Sequence, residues 1–250
     1  MTDENRIKLA IQKKGRLSED SSELLERCGI KLIKSKDQLF CRSQNFPLDV
    51  LYVRDDDIPA FVSKDVCQIG IIGQNVLFEK QALAQNGEDT QIETVLDLGF
   101  GRCRLSLAVP HGFDFQGLAS LENKTIATSY EGVLEDYLKK NGVKARIVSM
   151  EGAVEIAPRT GMADLICDLV STGATLASNG LKEVAPILES QAVLVKNTSL
   201  SDAQQVLLDR LLMRLNGVKR AESSKYIMLH TPISALEEVK AALPGSESPT

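Results

Sequence analysis

Histidine is scarce in this chain, with only His111 and His230, and cysteine is scattered: Cys28, Cys41, Cys67, Cys103 and Cys167 never stand as a pair of close ligands. An odd, dispersed set of thiols excludes a disulfide framework, carries no zinc signature and fits a reducing cytoplasm. Neither histidine lies in a motif, so surface or core positions are expected for both rather than catalysis. Long apolar runs are missing too. The first six residues are mostly polar, no signal-peptide core follows, and no stretch is long enough to span a bilayer. Positive charge is not in excess, since 29 Lys and Arg stand against 34 Asp and Glu for a formal net charge of -5. Such a field does not gather nucleic acid or an anionic membrane, so a polyanionic ligand must be met by a local cluster of donors.

What is present is an ordinary globular composition, 43% hydrophobic and 25% charged over 250 residues, enough for one large domain or two small ones. Ile7, Leu9 and Ile11 alternate with polar or small residues as in a strand, and the turn Lys13-Lys14-Gly15-Arg16 follows. A helix comes next, with Ser18 as its expected N-cap and Gly29 at its C-terminal cap. Further strands are predicted over residues 48–53, 69–73, 124–128, 145–148, 163–167 and 192–195, with a short helix near Asp57 and Pro59. Thr128-Ser129-Tyr130-Glu131 reads as a capping box, and helical patterns begin near Glu151 and Gly173. A helix striped by Leu207, Leu208, Leu211, Leu212 and Leu215 is predicted to end at Gly217, before a strand over residues 225–229 and a helix over 232–243. Strands alternating with helices define an α/β protein with mainly parallel sheets.

Residues 168–176 carry the clearest chemistry. They follow an apolar strand and precede a helical pattern, where backbone N–H groups converge on an anion. Gly173 permits close approach, Ser171, Thr172 and Thr175 add hydroxyls, and Asp168 at the carboxyl end of the strand can accept hydrogen bonds from a sugar. The plainer reading makes Asp168 and Ser171 helix caps and Gly173 a tight turn. Neither a G-x-x-x-x-G-K-[ST] nor a G-x-G-x-x-G string is present, which argues against a P-loop or a dinucleotide site.

Several segments together carry a resemblance. They are residues 168–176, Gln12-Lys13-Lys14-Gly15-Arg16-Leu17, Arg54-Asp55-Asp56-Asp57-Ile58-Pro59, Gly70-Ile71-Ile72-Gly73 and Gly152-Ala153-Val154-Glu155-Ile156-Ala157-Pro158-Arg159. In this order, along nearly the whole chain, they resemble ATP phosphoribosyltransferase, which opens histidine biosynthesis. The resemblance implies transfer of the phosphoribosyl group of PRPP to N1 of the adenine of ATP, with Mg²⁺ and release of pyrophosphate. It implies a two-lobed fold like a periplasmic binding protein, with a ligand cleft between the lobes. Residues 1–103 and 191–220 would form the first catalytic lobe, 104–190 the second, and 221–250 an incomplete α+β piece of the regulatory domain of long-form enzymes. A homo-oligomer is implied as well, a dimer, or a hexamer where the regulatory domain is whole, with histidine as the inhibitor.

Roles follow from the same resemblance. Asp168, Ser171, Thr172, Gly173, Ala174 and Thr175 would hold PRPP, and Lys13, Gly15, Arg16, Arg54 and Gly73 would face ATP or pyrophosphate. Arg16 and Asp168 are the expected catalytic pair, Arg16 because a guanidinium grips two phosphate oxygens at once. Its alternative is a solvated turn charge, and that of Arg54 is an ion pair with Asp55, Asp56 or Asp57. Glu151 and Glu155 would touch ribose or hold Arg159, or both are helix-start acids. No resident metal site is expected, Mg²⁺ travelling with the substrate phosphates. Gln68 stands where the family carries an aspartate, and Lys64-Asp65 where it often carries glycine, so the loop before that strand is expected to differ. The remaining alternatives are a non-catalytic two-lobed anion binder and a phosphoribosyltransferase for another base.

Overall fold

The computed structural model describes residues 6–33, 39–84, 91–223 and 227–242. Strand β1 (Ile7–Gln12) turns Ile7, Leu9 and Ile11 into one apolar cluster and Ala10 into another. A strand covered on both faces belongs at the centre of a sheet. It pairs in parallel with β3 (Leu48–Val53) and β4 (Ile69–Gly73). With β2 (Phe40–Arg42), β5 (Ile92–Asp97) and β11 (Ala192–Asn197) they form a six-stranded sheet ordered β2-β3-β1-β4-β11-β5. A five-stranded sheet ordered β10-β6-β9-β7-β8 takes β6 (Cys103–Pro110), β7 (Thr125–Thr128), β8 (Arg146–Ser149), β9 (Leu165–Val170) and β10 (Leu181–Ser190). Each sheet carries an apolar cluster on either face, giving two lobes with separate cores.

The sheets are mixed rather than mainly parallel. Only the β1–β3, β1–β4, β7–β8 and β7–β9 pairs are parallel; the pairs of β2, β5, β6, β10 and β11 with their neighbours are antiparallel. The crossovers explain much of this. The chain passes between the lobes at the ends where β1, β3, β4, β7 and β9 finish. A strand that starts there, as β6 and β11 do, must run against its neighbour.

Helix α2 (Ile58–Ser63) starts after Asp57 as expected and α5 (Ala157–Thr160) follows Glu151, but helix boundaries differ from the sequence expectation in three places. Helix α1 (Arg16–Arg27) starts directly after Gly15, whose φ of 98° ends the turn without a side-chain cap, and Ser18 lies buried inside the first turn. Gly29, with a φ of 70°, closes the other end as expected, the Ile30 N–H donating to the Leu25 carbonyl. Helix α7 (Asp202–Ser223) runs through Gly217, because Leu207, Leu208, Leu211 and Leu215 pack into the first lobe and Val218 continues that contact. Near the end of the chain no strand forms over residues 227–229, which have no neighbouring strand to pair with; Lys225 and Tyr226 fall outside the described residues. Helix α8 (Leu236–Ala242) follows a turn at Ile233–Ala235, and Leu243 is again outside the described residues. Among the described residues no helix is long and apolar enough to cross a membrane.

The third difference joins the lobes. Helix α4 (Glu131–Lys140) makes no capping box: Thr128 Oγ1 accepts from the Tyr130 N–H, and Ser129 Oγ donates to the Met150 carbonyl. Its open N–H groups are taken from the other lobe. Glu79, buried on helix α3 (Gln74–Leu83), accepts from the Gly132 and Val133 N–H groups, each at 2.9 Å. A carboxylate at a helix N-terminus satisfies orphan donors and complements the helix dipole. Asn75 adds a second link, its N–H donating to Ser190 Oγ at 3.0 Å and its Nδ2 to the Tyr130 hydroxyl at 2.7 Å. Glu79→Ala leaves the buried Gly132 N–H and the half-buried Val133 N–H unpaired, and a loss of about 1–3 kcal/mol is expected. Urea unfolding checks it; an unchanged midpoint would show that the lobes are held by something else.

Candidate functional site

Register gathers the predicted residues of both lobes at the crossover end. Gln12 lies opposite Val53 and the Lys13 N–H donates to the Val53 carbonyl at 2.8 Å, so Lys13, Gly15, Arg16 and Arg54 leave adjacent strand ends. Gly73 pairs with Ala192 at the same edge, where the Gln74 N–H reaches the Gln191 carbonyl at 2.9 Å. In the other sheet Thr128 pairs with Ser149 and with Cys167, and Val170 with Arg104, so Glu151, Glu155 and residues 171–175 leave the corresponding ends. The carboxyl ends of strands in open α/β sheets are where ligands bind. Two pockets of about 250 and 460 Å³ lie elsewhere, one between α1 and α7 and one along α3, α4 and β10.

Asp168 sits inside β9 rather than in a loop, on the face that also carries Ile166 and Val170. Its Oδ1 accepts from the Leu169 N–H at 2.7 Å. Burial pushes its carboxyl above the ordinary aspartate range; the Leu169 N–H works against that shift and Glu155 reinforces it. Tyr130 was expected only as part of a cap and is instead a site residue. Its phenol is pushed up chiefly by burial, with Asp168 of its own lobe and Asp55 and Asp56 of the opposite lobe adding to the shift. It therefore keeps its proton while accepting from Asn75 Nδ2 at the seam between the lobes. Burial and Asp55 likewise raise Asp56.

The stretch after β9 is open. Ser171, Thr172, Ala174 and Thr175 are exposed, and Gly173, with a φ of 81°, is the N-cap of helix α6 (Ala174–Ser178). No side chain caps α6; Thr172 Oγ1 makes only a long 3.5 Å contact with the Ala174 N–H. The capping alternative for Asp168 and Ser171 is thus not what the structure contains. Because α6 is a single short turn, an anion here meets loop amides and hydroxyls more than a summed helix dipole. A Cβ on Gly173 would meet nothing within 4 Å, so conformation rather than crowding requires glycine.

Across the cleft Lys13, Lys14, Gly15 and Arg16 are exposed. Arg54 lies 3.9 Å from Asp56, both side chains mostly solvated, a geometry of little energetic weight. Glu151 is exposed and Glu155 half-buried, and among the described residues Glu155 makes no ion pair with Arg159. Gly70 and Gly73 serve packing: a Cβ would meet Ile58 Cγ2 at 2.7 Å in the first and Asn75 Oδ1 at 2.3 Å in the second. Gln68 lies at the far end of β4, where its Oε1 accepts from the Lys8 N–H and its Nε2 donates to Asp65, in the left-handed region at a φ of 56°. Gln68 thus braces the loop before β4, at the end of the sheet away from the crossovers. His111 and His230 are both exposed. Among the described residues no group of three or more His, Cys, Asp or Glu is placed to hold a metal ion.

Two sheet-based lobes, a cleft at their carboxyl ends and an open glycine-gated loop define the periplasmic-binding-protein-like class of α/β fold. Similar solved structures include the alkanesulfonate-binding protein SsuA from Xanthomonas axonopodis pv. citri. It is 15% identical, with a TM-score of 0.53, covering 95% of this chain and 80% of that one. A probable amino-acid transporter binding protein, ytmK, from Bacillus subtilis is 13% identical at a TM-score of 0.55, over 86% and 93%. Nearer is the ATP phosphoribosyl transferase (HisG:HisZ) complex from Thermotoga maritima, 28% identical at a TM-score of 0.72, over 86% of this chain and 99% of that chain. A model of the ATP phosphoribosyltransferase family, HisG, matches residues 54–217. The chain belongs to that family, and is a phosphoribosyltransferase of histidine biosynthesis.

The raised Asp168 gives a signed expectation. Its folded form binds a proton more tightly than the unfolded chain does, so its contribution to stability is greatest below the ordinary value of 3.8 and falls as pH climbs toward the raised one. Asp168→Asn removes that fall. The variant should unfold at higher denaturant than the parent near neutral pH, with the gap closing in acid. A variant less stable than the parent at neutral pH would contradict the assignment.

Proposed function

We propose that this chain transfers the phosphoribosyl group of PRPP to N1 of the adenine of ATP, releasing pyrophosphate. The reading is supported by register, which brings the open loop at Ser171, Thr172, Gly173, Ala174 and Thr175 and the basic turn at Lys13 and Arg16 to the crossover ends of the two sheets. The loop takes the 5-phosphate on its amides and hydroxyls, and Asp168 accepts from the ribose hydroxyls beside it. From the other lobe Arg16, with Lys13, Gly15 and Arg54, takes the triphosphate or the pyrophosphate. Gly73 shapes the strand end next to the adenine, while Glu155, close enough to Asp168 to raise it, lies nearer the ribose than the exposed Glu151.

Adenine N1 already holds a lone pair at neutral pH, so the residues have little covalent work to do. They bring N1 to the anomeric carbon and stabilise the charge that builds on pyrophosphate as its bond to C1 breaks. Magnesium would travel with the substrate phosphates, water filling the rest of its shell, and would there neutralise the leaving group. Catalytic lobes at 1–103 with 191–220 and at 104–190 are part of the same reading, supported by which sheet each strand joins. So is work in the cytoplasm, supported by five free cysteines. Assembly with further chains is proposed on the precedent of the Thermotoga complex.

Incubation with ATP, PRPP and Mg²⁺ is expected to yield phosphoribosyl-ATP, seen as rising near-ultraviolet absorbance. No product, with tight binding of an unrelated solute, would sink the reading. Gly173→Val forces a β-branched residue to a φ of 81°, a strain of about 1–3 kcal/mol that the loop relieves by changing shape. PRPP affinity should fall at least roughly tenfold, whereas Gly173→Asn, which tolerates that conformation, should lose less. Unchanged affinity in the valine variant would mean that the loop is only structural.

A further inference from the structure

The loop that takes the 5-phosphate has no cation of its own: residues 168–176 contain neither lysine nor arginine. One lies directly beside it. Arg104 lies at the start of β6 opposite Val170, next after Cys103, and its guanidinium is locked by two hydrogen bonds to Glu183. Nε donates to Glu183 Oε1 and Nη2 to Glu183 Oε2, both at 2.5 Å, while Ser106 Oγ donates to the same Oε1 at 2.8 Å. A bidentate fork fixes the guanidinium plane. The nitrogen it leaves over, Nη1, lies 3.5 Å from the Ser171 carbonyl, at the first residue after β9. The side chain is 33% exposed, so a ligand in the loop can reach it. Glu183 is held ionised by this same contact, its carboxyl drawn below the ordinary range first of all by Arg104.

We infer that Arg104 is the cation of the 5-phosphate subsite, presenting Nη1 to the phosphate held by Ser171, Thr172, Gly173 and Thr175, and that Glu183 and Ser106 are its positioning residues. The inference rests on the reading of that loop as the phosphate loop. The division of labour within the side chain is its physical core. Two nitrogens anchor the group to the sheet and the third faces the ligand, so binding does not have to order a long, free side chain. Glu183 does not repel the phosphate outright, since Arg104 and Ser106 occupy its oxygens. Lysine cannot reproduce the arrangement, because one ammonium cannot span Glu183 and the loop in a fixed plane.

Two readouts separate this inference from the reaction assigned above: the KM values for PRPP and ATP, and calorimetric binding of ribose 5-phosphate, which carries the phosphate end alone. Arg104→Gln is expected to raise the PRPP KM and weaken ribose 5-phosphate by roughly tenfold or more, leaving the ATP KM unchanged. Arg104→Lys should lose in the same direction, and stands in should the glutamine variant fail to fold. A folded variant with parental PRPP KM and ribose 5-phosphate affinity overturns the inference while leaving the reaction intact. Equal losses for ATP and PRPP also overturn it, because a merely structural ion pair has no reason to single out one substrate. Arg104-dependent binding of ribose 5-phosphate by a chain that makes no phosphoribosyl-ATP supports the subsite and refutes the reaction.

Discussion

Glu79 holds the two halves of this molecule in register. Each sheet closes its own pair of cores, and the lobes meet at the crossovers and along α3 and α4, where the missing Cβ of Gly132 lets Ala82 and Leu83 pack close beside a polar seam. There the Glu79 carboxylate accepts the Gly132 and Val133 N–H groups, and Asn75 ties Ser190 of the crossover to the Tyr130 hydroxyl. Unpaired, each of these buried groups carries a desolvation penalty, so the contact is specific as well as adhesive. Moving α3 against α4 would uncap a helix. The cleft inherits its geometry from that constraint, since Tyr130 immediately precedes α4 and stands among carboxylates of both lobes.

Charge is arranged in the cleft as a net-acidic chain requires. Tyr130 feels acids of both lobes, Asp168 of its own and Asp55 and Asp56 of the other, and burial keeps Asp56 and Asp168 partly averse to ionisation. Donors lie toward the outside, Lys13 and Arg16 on one lobe, and the loop amides with Arg104 on the other. A substrate with a phosphate at each end and hydroxyls between them matches such an order.

Much of this was legible from residue order. β1 announced itself by alternation, Gly29 by its place after an apolar stripe, and Gly173 by standing between an apolar strand and a helical pattern. Other features were hidden for physical reasons. In β10 the period-2 pattern is broken by register shifts at Glu183–Ala185 and Pro186–Leu188, so no alternation survives to be read. β2 and β5 lie at sheet edges, with mostly exposed or half-exposed side chains that give little apolar signal. The cap of α4 could not be read locally because its acceptor lies more than fifty residues away on another lobe, and the local Thr128-to-Glu131 string mimicked a box that does not form. Arg104 escaped notice for a related reason: its role depends on Glu183, a partner that only the pairing of β6 with β10 brings near.

The central claim is a division of labour, with the 5-phosphate on the second lobe and the nucleotide or pyrophosphate on the first. Amide hydrogen exchange with ribose 5-phosphate, which lacks the pyrophosphate, tests it most directly. The account predicts slowed exchange at residues 171–176 and no change at residues 13–16, with protection of 13–16 appearing only when ATP or the pyrophosphate of PRPP is supplied. Protection by ribose 5-phosphate confined to residues 13–16, or its absence from 171–176 at saturating ligand, would contradict it.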